Sequence, residues 1–299
     1  MVSQGMKNII EQLRAFQAQA SAEPSVEAIR EGLETLAAMS RIPKGVKRKK
    51  LEIEGMKALW LTLPDIAKKN AILYLHGGGY VAGGIGTHRE LVGRIALASK
   101  AHALLIDYRL APEHPFPAAL EDAMTAYRWL VSKEGISPKN IVIAGDSAGG
   151  GLTLATLIKL RDEGDPLPVA AVFLSPWTDL ANTGETVKTK AEIDPFVSPE
   201  GLEMMAEIYL GDADARNPLA SPLYGNLQGL PPLLIQVGSA ECLLDDAVRC
   251  AERAKSAGVD VTLEVWDDMI HVFQAFANMA PEGQKGIEKI GEFIQKFLK

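Results

Sequence analysis

The chain has 299 residues, 47% of them hydrophobic and 23% charged, an ordinary globular composition that excludes disorder, collagen-like repeats and mucin-like stalks. A net charge of −7, from 31 Lys and Arg against 38 Asp and Glu, argues against nucleic acid as a partner. Length permits one large α/β domain or two smaller ones, so the order of elements has to decide between them.

The first ten residues include Gln4, Lys7 and Asn8 and lack the apolar segment and small-residue cleavage site of an export signal. No apolar run reaches membrane-spanning length. The expectation is a soluble, cytoplasmic protein with no membrane partner. Ile9, Leu13 and Phe16 fall at helical spacing, as do Val26, Ile29, Leu33 and Leu36, with Pro24 as a natural start for the second run. Both helices need an apolar partner surface, either as ordinary core helices or as a cover over a site. The basic run Lys44, Lys47, Arg48, Lys49, Lys50 has no interleaved aromatic residue and reads as the solvated start of a strand.

From Val46 the period changes to two: Leu51 and Ile53 alternate with Glu52 and Glu54, a turn falls at Gly55, and a second run follows through Leu59, Leu61 and Leu63. That pattern is an antiparallel hairpin. Continuous apolar runs then recur at Ala71–Leu75, Ala103–Ile106, Ile141–Ala144, Val169–Leu174, Leu233–Val237 and Val261–Val265, as expected of strands buried on both faces. Helical periodicity lies between or after them at Leu91–Ala98, Ala118–Leu130, Leu152–Leu160, Ala247–Ala257 and Ile287–Phe297. Such alternation predicts a mainly parallel sheet covered by helices on both sides. The rhythm breaks once, in the 58 residues between Leu174 and Leu233, which hold a helical stretch near Leu202–Tyr209; an insertion of that length after a strand is usually functional.

The run Ile141–Ala144 leads straight into Gly145-Asp146-Ser147-Ala148-Gly149 and then into a helical pattern. A GxSxG turn between strand and helix thrusts the serine hydroxyl above the sheet, and the helix amino terminus beyond it aims N–H groups at developing negative charge. Ser147 is therefore the candidate nucleophile. After the strand at 71–75 comes His76-Gly77-Gly78-Gly79-Tyr80, whose glycines let backbone amides converge on an oxyanion. Gly78 and Gly79, with Ala148, are the expected donors. The same segment also fits the dinucleotide-binding pattern Gly77-x-Gly79-x-x-Ala82. That alternative needs a helix to open at once and an acid about twenty positions on; here three further glycines intervene and the next strand ends in Asp107, thirty positions past Gly77.

A serine nucleophile needs a base. Of five histidines, His271 follows the last strand, where its loop would face the elbow, whereas His76, His88, His102 and His114 have structural readings. The base needs a carboxylate to orient it, and after Leu233–Val237 both Glu241 and Asp245 qualify. Glu241 is preferred as nearer the strand end; Asp245 or Asp246 can instead cap the next helix. The order serine, acid, histidine is that of α/β-hydrolases. Cys242 and Cys250, the only cysteines, match neither a redox pair nor a zinc spacing and read as reduced thiols, Cys242 as a small packed side chain.

HGGGY at 76–80, DYRLAPEHPFPAALED at 107–122 and GDSAGG at 145–150 resemble the hormone-sensitive lipase family of bacterial esterases, with the likeness running from about Leu73 past His271. The resemblance implies an α/β-hydrolase fold and a cytoplasmic serine carboxylesterase acting on small-molecule esters of short to medium acyl chains, without metal or organic cofactor and often as a homodimer. It also implies that residues 1–45 and the insertion 176–230 form a helical cap on a catalytic domain of residues 46–299. Tyr80, Phe196, Met204, Met205 and Tyr209 would then line the acyl pocket, although each also has a core reading. The family's acid is usually Asp where this chain has Glu241, in Glu241-Cys242-Leu243-Leu244-Asp245.

Overall fold

The computed structural model describes residues 2–19, 25–38, 41–64, 66 and 70–298. Two helices come first, α1 (Gln4–Gln19) and α2 (Val26–Ala37). Pro24 lies outside the described residues, and the hydroxyl of Ser25 caps α2 by accepting the amide of Ala28. Met6, Ile9 and Leu13 form the buried stripe of α1 and pack with Met269, Ile270 and Phe273, on either side of His271. Burial of each such side chain contributes roughly 1.5 to 3 kcal/mol. Phe16 and Leu36 continue the helical spacing but are 47% and 39% exposed, because the last turns run past the surface that buries the earlier ones.

The hairpin pairs β1 (Lys47–Ile53) with β2 (Met56–Thr62) around the two-residue turn Glu54-Gly55. Lys47 to Lys50 are exposed along β1, as a solvated strand start requires. The remaining elements follow in order: β3 (Ala71–Leu75), α3 (Ile85–Ser99), β4 (His102–Ile106), α4 (Ala118–Ser132), β5 (Ile141–Asp146), α5 (Ala148–Asp162) and β6 (Ala170–Leu174). The insertion holds α6 (Thr186–Thr189) and α7 (Pro199–Leu210), and β7 (Leu233–Gly238), α8 (Leu244–Ser256), β8 (Val261–Trp266) and α9 (Pro281–Phe297) complete the chain.

The eight strands of the described residues make one sheet in the order β1-β2-β4-β3-β5-β6-β7-β8, antiparallel from β1 through β4 and parallel from there on. Within the apolar runs alternate residues go to opposite faces. Leu73, Ile143, Phe173 and Ile235 join the core that also holds residues of α4, α5 and α8. Ile72, Val142, Val172 and Leu234 meet residues of α3 and α9. One strand departs from the expectation of burial on both faces: among the described residues β8 pairs with β7 alone, and Val265 is 43% exposed.

Because β3 and β5 to β8 are parallel, their carboxyl ends open onto one rim, where HGGGY, Ser147, the segment after β6, Glu241 and His271 all emerge. The glycine pattern after β3 opens no helix at once. Loop fills 76–84, and Asp107 accepts the amide of Ile85 at 2.6 Å, capping α3, which removes the dinucleotide-binding alternative.

Candidate active site

Ser147 stands between β5 and α5 at φ 52 and ψ −123, a conformation that costs a non-glycine residue roughly 1 to 3 kcal/mol. The surroundings hold it there: its amide donates to Leu174 at 2.9 Å, and its carbonyl accepts the amides of Gly150 and Trp177 at 2.9 Å each. Gly149 lies so close to the backbone of Leu75 and His76 that a Cβ would overlap both, so the first turn of α5 presses directly on the start of the oxyanion loop.

That loop is made of positive φ angles, 117° at Gly78, 63° at Gly79 and 64° at Tyr80. It closes on itself through the amides of Val81 and Ala82, which both donate to the carbonyl of Gly78 at 3.1 and 2.9 Å. The amides of Gly78, Gly79 and Ala148 donate to no acceptor among the described residues. A convergent set of free donors of this kind can receive a developing oxyanion.

Across the rim, His271 is 3% exposed and its Nδ1 lies 2.7 Å from Oε2 of Glu241, which is fully buried. The other carboxylate oxygen accepts the amide of Gly238 at 2.6 Å and the hydroxyl of Ser175 at 2.8 Å. Burial works to lower the pKa of His271, but the hydrogen bond and charge of Glu241 outweigh it, and the net shift is upward. Asp245, the alternative acid, is turned elsewhere: it accepts the amide of Thr186 at 3.0 Å, tying α8 to α6. Asp246 likewise serves the insertion, accepting the amides of Thr178 and Asp179 at 2.7 and 2.9 Å.

The expected pocket residues divide into two groups. The ring of Phe196 lies 6.0 Å from that of His271, and the sulfur of Met205 occupies the space a Cβ on Gly79 would need. Met204, beside it on α7, is half-buried. Tyr80 and Tyr209 instead stack on one another at 3.7 Å and are 1% exposed each, so they join α7 to the oxyanion loop as a packed pair. Cys242 is also packed: its thiol donates to the carbonyl of Val197 at 3.4 Å, and burial pushes its pKa up to about 12. The other histidines divide similarly. His76 is buried and held neutral, its pKa lowered to about 3 by burial; His88 sits on α3, His102 accepts the amide of Leu63 at the start of β4, and His114 is exposed.

Sequence reasoning missed Ser175, and it placed Asp194 in the cap, as part of Asp194-Pro195-Phe196, without seeing what its carboxylate holds. Ser175 follows β6 directly, beside β5 at the carboxyl rim, a position that was available as a signal. No local signal gave the partners of Asp194. It is a buried carboxylate of the insertion whose two oxygens accept the amides of Phe196, Val197 and Cys242, so it binds the loop above His271 to the loop of Glu241. Among the described residues no group of three or more metal-ligating side chains gathers, and no helix is long and apolar enough to cross a membrane.

A family model for the alpha/beta hydrolase fold matches residues 72–275. An acetyl-hydrolase of Streptomyces hygroscopicus is 48% identical over 224 residues, covering 75% of each chain. The crystal structure of an esterase from the bacterial hormone-sensitive lipase family superposes with a TM-score of 0.95 at 46% identity, over 100% of both chains. A crystal structure of EstE5 that was soaked by p-nitrophenyl butyrate superposes with a TM-score of 0.93 at 46% identity, over 99% of both chains.

Proposed function

Because the chain belongs to the alpha/beta hydrolase family, as an ester hydrolase of the bacterial hormone-sensitive lipase group, we propose that it cleaves short to medium acyl esters in two steps at Ser147. One observation carries the reading: Nδ1 of His271 is held 2.7 Å from a buried carboxylate, which leaves Nε2 as the proton acceptor of the ring. Ser147 Oγ attacks the ester carbonyl as its proton passes to Nε2 of His271, while the amides of Gly78, Gly79 and Ala148 receive the oxyanion. The imidazolium, balanced by Glu241, then protonates the departing alkoxide. Water repeats the sequence on the acyl-serine, with His271 again accepting the proton, and the carboxylic acid leaves.

Residues 1–45 and 176–230 act as a cap in this reading. Support comes from the contact of Met205 with Gly79, the closeness of Phe196 to His271, and Arg30 of α2, which donates to the carbonyls of Val81 and Ala111 at 2.7 and 3.1 Å. Phe196, Met204 and Met205 face the acyl group, and the stacked Tyr80 and Tyr209 support them. The protein works in the cytoplasm, consistent with two free buried thiols, and as a homodimer, for which the open edge of β8 offers a pairing surface.

The test is direct. Ser147→Ala and His271→Ala each lower kcat by several orders of magnitude, the double variant loses little more, and a fluorophosphonate adds its mass to Ser147 of the wild type. Across p-nitrophenyl esters, kcat/KM peaks between acetate and octanoate. Full activity in Ser147→Ala ends the assignment, and a maximum at palmitate with activation at lipid interfaces ends the chain-length reading.

A further inference from the structure

Asp146, the residue before the nucleophile, closes β5 as a buried carboxylate that the serine mechanism leaves without a task. Several elements converge on it. Its Oδ1 accepts the hydroxyl of Tyr74 from β3 at 2.9 Å, and its Oδ2 lies 3.3 Å from Nε2 of His88 on α3. Oδ2 also packs against Gly77 so tightly that any side chain there would overlap it, which fixes the first glycine of the oxyanion loop to the strand carrying Ser147. His88 is steadied in turn by Thr87, whose Oγ1 lies 2.6 Å from its Nδ1. The ring of His76 lies 5.4 Å from that of His88 and stacks on Tyr108 at 4.0 Å, closing the cluster from the β4 side.

Burial disfavours the ionised form of Asp146, but the interaction with His88 and the hydroxyl of Tyr74 more than offset it, and its pKa falls below the usual carboxylate value. The ionised carboxylate is felt across the rim. With burial opposing and Glu241 dominating in favour, Asp194 and Asp146 add to the preference of His271 for its protonated form.

We propose that Asp146 is a positioning residue of the reaction, clamping the oxyanion loop at Gly77 to the nucleophile strand and adding its negative charge to those of Glu241 and Asp194 in favour of the His271 imidazolium, with His88 as its holder. The inference rests on the roles given above to Ser147 and His271. In this arrangement α3 supports the site through His88 and Thr87.

Asp146→Asn keeps the shape and removes the charge. Its kcat at mildly alkaline pH should fall about tenfold with KM within about twofold, because the group acts through others and not on substrate. Its acid limb of kcat/KM should move to lower pH, since a histidine that loses a nearby negative charge gives up its proton more readily. A merely structural defect would not lower the plateau and extend activity to lower pH together. His88→Phe tests the same idea even if Asp146→Asn does not fold. With its partner gone, burial drives Asp146 to its neutral form, so this variant should show the same two movements at smaller size.

Fluorophosphonate labelling of the wild type runs alongside. A wild type unlabelled at Ser147 overturns the serine reading and this proposal together. A labelled wild type with an acid limb that stays in place in the folded variants overturns this proposal alone, as does a loss of activity carried by KM.

Discussion

Ser175 donates its hydroxyl to Oε1 of Glu241 at 2.8 Å while the same oxygen atom of Ser175 accepts the amide of Val272, next to His271, at 3.1 Å. One hydroxyl thus ties the loop of Glu241 to the loop of His271 from the end of β6. Ser175→Ala leaves Oε1 with the amide of Gly238 alone and the amide of Val272 without its acceptor. We expect kcat to fall about tenfold with KM within about twofold, and stability to fall by roughly 1 to 3 kcal/mol for the buried amide left unpaired. Steady-state kinetics and denaturant unfolding read both; an unchanged kcat would mean that Gly238 orients Glu241 unaided.

Glu241 and Asp245 should separate cleanly. Glu241→Gln removes the charge and turns a donor toward Nδ1, favouring the wrong tautomer, and should lower kcat by about 10³- to 10⁴-fold. Asp245→Asn disturbs only the link to Thr186 and should leave kcat within about twofold, with a modest loss of thermal stability. The pH profile gives a second readout. In the proposed role His271 is a base when neutral, and its pKa is raised, so kcat/KM should climb to its plateau at a pH above that of an ordinary histidine. Removing the charge of Glu241 should bring the residual activity's acid limb to lower pH. A large loss in Asp245→Asn, with Glu241→Gln near wild type, would reverse the assignment.

Met205 fills the space above Gly79, so it should limit the acyl groups that approach the oxyanion loop. Met205→Ala should raise the ratio of kcat/KM for p-nitrophenyl octanoate to that for acetate by roughly tenfold, the range one or two methylenes command in an apolar pocket. A chain-length series on both proteins checks it. An unchanged ratio would place the acyl group elsewhere.

Asp246 carries a pH dependence of stability. Burial and the charge of Asp179 push its pKa up to about 7, well above the ordinary carboxylate value. Across that window the folded protein holds the proton more tightly than the unfolded chain does, so stability is fully present at lower pH and is lost as pH rises through the folded value. The loss is on the order of 2 to 4 kcal/mol. Asp246→Asn keeps an acceptor for the amides of Thr178 and Asp179 and removes the repulsion, so its Tm should vary less between about pH 5 and about pH 8 and exceed the wild type's at the upper end. Parallel melting curves for the two proteins would contradict this.

Some parts of the site were legible because they are local. A continuous apolar run followed by Gly145-Asp146-Ser147-Ala148-Gly149 and a helical pattern can hardly be read otherwise, and the structure has β5, the turn and α5 in that order. The glycines at 77–79 announce positive φ angles in the same way. Glu241 over Asp245 was a preference from distance to the strand end; in the structure Glu241 is the carboxylate beside His271. Phe16, Leu36 and Val265 show the limit of periodicity, which says that a face is apolar without saying how far its partner surface extends.

Residue order alone dictated the strand and helix succession, the sharp turn at Ser147 and the glycine loop, since each depends on neighbours a few positions away. The company those groups keep came from long-range packing. Ser175 reaches Glu241 across 66 positions, Tyr74 reaches Asp146 across 72, and Asp194 reaches Cys242 across 48. Contacts like these exist only once eight strands have taken their places in one sheet, because pairing between distant strands, not any local preference, sets which loops share a rim.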